Sequence, residues 1–87
     1  MNETTLKEYR KAVMELLRGT AIVNDEAELA RLRKLGLDQQ MEVGFVLRAA
    51  MLQAKATKAG GTTELAEVRS VDDALHYLYP VRTYALR

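Results

Sequence analysis

Cysteine is absent from this chain of 87 residues. Disulfides and thiolate metal ligands are therefore excluded, and the hydrophobic core must hold the fold. Lack of cysteine also fits a reducing compartment, so a cytoplasmic location is expected. Histidine occurs once, as His76. One imidazole among scattered carboxylates is too few donors for a histidine-based zinc site. The sequence has no GxGxxG, P-loop, HExxH or EF-hand loop. Without a concentration of reactive groups no enzyme is expected, and no catalytic, cofactor-binding or metal-binding residue is assigned.

A long apolar run is also missing. The nearest approach is VGFVLRAAML, Val43–Leu52, in which Arg48 is the one residue that is neither apolar nor glycine. It is about half the ~20 residues of a membrane-spanning helix, so no membrane partner is expected. The opening MNETTLKEYRK has no basic segment followed by an apolar one, so it is not expected to act as a secretory signal. An excess of one charge is lacking as well. The net charge of +1 gives no global field toward nucleic acid or anionic lipid.

The composition, 48% hydrophobic and 29% charged, is that of a folded chain. The length implies one domain, just above the range in which a core alone seldom suffices. Charge is unevenly spread: residues 29–60 carry six basic and two acidic groups, and residues 1–28 carry four and six. Pairing within the fold is the economical reading of this pattern.

Helical periodicity is clear. Thr5 and Glu8 read as a capping box opening a helix over about 5–18. Its stripe is Leu6, Tyr9, Val13, Leu16 and Leu17, and Gly19 is placed for a left-handed stop. A second helix is expected over about 25–35, with Asp25, Glu26 and Glu28 at its front and Arg31, Arg33 and Lys34 at its back. Glu28 and Arg31 are spaced to pair. Gly36 reads as its stop, with Leu37 packing back.

A third, central helix is expected over about 39–59, capped by Asp38 and ended by Gly60–Gly61. Gly44 inside it costs about 1 kcal/mol against Ala unless a neighbouring helix approaches closely there. ELAEVR allows a turn or two of helix. Ser70 and Asp73 mark a cap for a last helix over about 71–79, stopped by Pro80. The tail VRTYALR reads as an extended arm. The expected fold is thus all-α: a small bundle of four or five helices over 1–79, with an extended C-terminal arm over 80–87.

Three features bear on function. Asp72, His76 and Tyr79 share one side of the last helix, an arrangement that can in principle move a proton; acids in a first helical turn more simply serve capping and the helix dipole. The second and third helices resemble a helix-turn-helix in outline, but only Gln39 and Gln40 are available to read bases and Glu42 would repel phosphate. A nucleic-acid role would therefore rest on phosphate contacts from Arg31, Arg33, Lys34, Lys55 and Lys58, with Arg48 on the same basic strip. Finally, the C-terminal segment concentrates Tyr77, Tyr79, Val81, Arg82, Tyr84 and Leu86, a mixture rich in the Tyr and Arg favoured at interfaces. These residues either cover the central helix of their own chain or reach a partner.

The central helix, about 30 Å long, exceeds the expected reach of its neighbours. A second subunit is one way to cover it. The expected function is a non-enzymatic protein–protein interaction module, a small regulator, inhibitor or assembly factor, with homodimerisation and a further protein partner. The alternative is a nucleic-acid-associated regulator. Arg48 is expected at the edge of the bundle with its head in water, or enclosed and paired with an acid.

Overall fold

The computed structural model of the chain describes residues 2–56 and 65–79. Its elements are α1 (Glu3–Leu17), α2 (Glu26–Arg33), α3 (Leu37–Ala56), a 3₁₀ turn at Leu65–Glu67 and α4 (Val71–Leu78). No strand occurs among the described residues, so the fold is a small all-α bundle. α3 packs against every other element, most extensively against α1 and the 3₁₀ turn. The expected end of the third helix at Gly60–Gly61 and the arm over 80–87 lie outside the described residues.

Cap chemistry sets where the helices begin. α1 starts earlier than the capping-box reading places it. Asn2 is the N-cap, and its Oδ1 accepts the Thr5 N–H at 2.8 Å. Asn caps at least as well as Thr, so the upstream residue wins and Thr5 becomes part of the first turn. Asp25 caps α2 by accepting the Glu28 N–H, and Ser70 caps α4 by accepting the Asp73 N–H at 3.0 Å. Gly19 has φ +83°, the left-handed conformation that ends α1.

Gly36 departs from its expected role. It does not adopt a positive φ and makes no left-handed stop. α2 ends earlier, in tightened bonds from Lys34 to Arg31 and from Leu35 to Leu32. The Gly36 carbonyl instead accepts the Gln40 N–H and starts α3. Asp38 therefore sits within the first turn of α3, where it favours the dipole, and is not the cap. The buried Gln40 donates its side-chain amide to the Leu35 carbonyl at 2.9 Å, satisfying an acceptor left over beyond α2.

The core is continuous through the bundle. Its fully enclosed large side chains, Leu17, Ile22, Val43 and Val71, come from α1, the α1–α2 turn, α3 and α4. Glu28 links α2 to α4. One carboxylate oxygen accepts the Val71 N–H at 2.7 Å and the other accepts from Arg31 at 3.0 Å. Arg31 also lies 3.7 Å from Asp72. The i,i+3 pair expected from spacing thus forms the side of a larger contact.

Arg48 pairs with no acid among the described residues. It is half-buried, and its guanidinium donates to the carbonyls of Glu15 and Leu16 at 3.3 and 3.4 Å. Both carbonyls lie in the last turn, at the negative end of α1, and the Glu15 carbonyl also accepts the Arg18 N–H at 3.3 Å. An arginine from the middle of one helix therefore caps the end of another. Replacement by methionine keeps the stem's packing and removes the head. We expect a loss of about 1 kcal/mol, the scale of a partly exposed cation at a helix C-terminus. A chemical unfolding midpoint would measure it, and a loss above about 3 kcal/mol would indicate an enclosed charge instead.

Candidate interaction surface

α3 has 20 residues, a length of about 30 Å at the rise of an α-helix. α2 and α4 have eight residues each, which is about 12 Å on the same rise. The short helices and α1 cover one side of α3. Val43, Val46, Leu47 and Ala50 are buried there. On the opposite side Phe45 is 57% exposed and Leu52 52% exposed. They are two helical turns apart and share one stripe with the half-buried Met41 and Ala49. Single exposed apolar residues are ordinary, but a run of them along one helix is an interaction signature.

Arg48 belongs to the same side of α3 by spacing. Its hydrogen bonds to α1 draw its charge off the stripe and toward the groove between the two helices. That groove, about 400 Å³, is walled by Leu16 and Ala12 of α1 and by Met41 and Phe45 of α3. α1 and α3 approach closely at Gly44. A Cβ added at Gly44 would lie 3.2 Å from Leu16 Cδ1, so a side chain there requires Leu16 or α1 to shift.

The residues singled out in the sequence fare differently. Tyr77 is 43% exposed on α4. Tyr79 is half-buried, and its hydroxyl donates to Glu42 of α3 at 2.9 Å. Val81, Arg82, Tyr84 and Leu86 lie outside the described residues. Asp72 is held toward Arg31, and no hydrogen bond or ion pair among the described residues joins it to His76, which is exposed. An Asp72–His76–Tyr79 line is not assembled among the described residues.

Of the basic residues, Arg31 is occupied by Glu28 and Asp72. Arg33 and Lys34 are exposed around the end of α2. Lys58 and the Lys55 side chain lie outside the description. Gln40, one of two side chains suited to base edges, is buried and bonded to Leu35, and Gln39 is half-buried. No group of acidic or histidine side chains among the described residues is arranged to hold a metal ion. No described helix is long and apolar enough to cross a membrane.

Sequence reasoning missed the Phe45–Leu52 stripe as a distinct surface, because VGFVLRAAML is apolar on nearly every side. Only the placement of α1 and α4 shows which side is left open. Comparison with known protein families, characterised proteins and solved structures finds no match for this chain.

Proposed function

We propose that this chain is a non-enzymatic protein–protein interaction module that self-associates as a homodimer through the outer face of α3. The exposure of Phe45 and Leu52 on one stripe carries the reading. Phe45 and Leu52 are placed symmetrically about the step from Arg48 to Ala49. In an antiparallel pair of α3 helices, Phe45 of one copy therefore meets Leu52 of the other. The small Ala49 lies near the two-fold axis and lets the helices approach. Diversion of the Arg48 head toward α1 keeps two like charges from facing each other across that axis.

The stripe is narrow. The half-exposed Phe45 and Leu52 of two copies bury far less area than a stable dimer interface requires. A transient dimer, with Kd of roughly 10 µM to 1 mM, is the expected result. Sedimentation velocity over that concentration range tests it. Wild type should move from monomer to dimer mass. Phe45→Glu should stay monomeric while keeping its helicity, because the side chain lies outside the buried core. A monomer throughout, or a Phe45→Glu variant that dimerises like wild type, would overturn the proposal.

A further inference from the structure

We infer that the cleft between α1 and α2 binds a small amphiphilic carboxylate, of the chemical class of a medium-chain fatty acid. The cleft encloses about 420 Å³, within the range of small-molecule sites. Its floor is the apolar surface of Val13, Leu29 and Leu32. Met14, 41% exposed, stands at its wall. Its flexible thioether adapts to an apolar guest. Arg10 of α1 and Arg33 of α2 line the same cleft, and no described carboxylate does.

The two arginines distinguish this cleft from a plain apolar groove. Neither forms an ion pair with any described residue. Arg31, on the same short helix as Arg33, is neutralised by Glu28 and Asp72. Two guanidinium groups left without acids above an apolar floor suit one anionic head with an apolar tail. Arginine presents the planar fork that matches a carboxylate.

Cleft volume bounds the size of the occupant. The lining runs from Arg10 to Met14 on α1 and from Leu29 to Arg33 on α2, and it includes Leu37 and Gln40 at the start of α3. Each run rises about 6 Å, roughly one helical turn. A partner helix needs anchors over two turns to lie in a groove. One acyl chain needs no second anchoring turn and folds within the enclosed volume of about 420 Å³. The site shares no lining residue with the Phe45–Leu52 stripe and does not depend on the dimer.

Titration of the full chain, isotope-labelled at methyl groups, with sodium decanoate below its micelle concentration tests the inference. Saturable shifts of the Met14, Leu29 and Leu32 methyls are expected. Decanol, with the same tail and no charge, should bind at least tenfold more weakly, and decylammonium should not bind. Arg10→Glu with Arg33→Glu should weaken decanoate binding at least tenfold. Arg33→Gln, a milder change at an exposed site, should weaken it severalfold, and circular dichroism checks that both variants keep the wild-type helicity. The inference is overturned by shifts that do not saturate or that fall elsewhere, by decanol or decylammonium binding as well as decanoate, or by arginine variants that bind like wild type.

Discussion

Glu28→Ala is expected to destabilise the fold by about 2–3 kcal/mol, and Glu28→Gln by less than half of that. The difference follows from what each carboxylate oxygen does. Oε1 accepts the backbone N–H of Val71, the first residue of α4, at 2.7 Å. That donor has no partner within its own helix. Val71 is 1% exposed, so water cannot replace Glu28. Leaving a buried N–H without an acceptor costs about 1–3 kcal/mol. Loss of a negative charge at the helix N-terminus adds about 0.3–1 kcal/mol. Glutamine keeps an oxygen for Val71 and loses the charge. Asp72 remains beside Arg31 in both variants, which limits the loss from that ion pair. Urea unfolding at unchanged m-value measures both variants. Indistinguishable midpoints for Ala and Gln would show that the Val71 contact is not what matters.

Gly44→Leu should cost about 2–3 kcal/mol, near the upper end for overpacking a tight contact. At Gly44 an added Cβ already meets Leu16 Cδ1 at 3.2 Å and Leu16 Cβ at 3.3 Å. Rotation of Leu16 moves its Cδ1 away but not its Cβ, which is fixed to the α1 backbone. A larger side chain must therefore push the helices apart. Gly44→Ala is different, because about 1 kcal/mol of helix propensity offsets a small displacement of the neighbour. Its stability should stay within about 1 kcal/mol of wild type. Leu16→Ala combined with Gly44→Leu should recover part of the loss, with a coupling of about 1 kcal/mol in a double-mutant cycle. Strict additivity of the two substitutions would argue that the helices do not meet at these residues.

Both sites show how far the sequence can be read. Glu28 and Arg31 are three residues apart, and their pairing follows from helical geometry. The Val71 N–H lies 43 residues further along, and no local pattern connects it to Glu28. Gly44 announces a close approach because its helix cost needs a return. Nothing in the sequence names Leu16 as the neighbour. Asn2 and Gly36 defeat a local reading for a simpler reason. Each has a competing residue, Thr5 or Asp38, that is also suited to capping, and only the hydrogen bonds decide between them.

Composition and periodicity determined that the chain folds as an all-α bundle, roughly where its helices lie, and that no cluster of cysteines or histidines is present to hold a metal. Those properties depend on residue types and on spacings within a few turns, which the sequence states directly. Only the tertiary structure decided that Arg48 caps α1, that Tyr79 bonds Glu42, and that Phe45 and Leu52 face outward while Val43 and Leu47 do not. A helix apolar on nearly every side carries little preference for which side to bury. That choice belongs to the packing of α1 and α4 around α3, and it leaves the Phe45–Leu52 stripe uncovered within the described bundle.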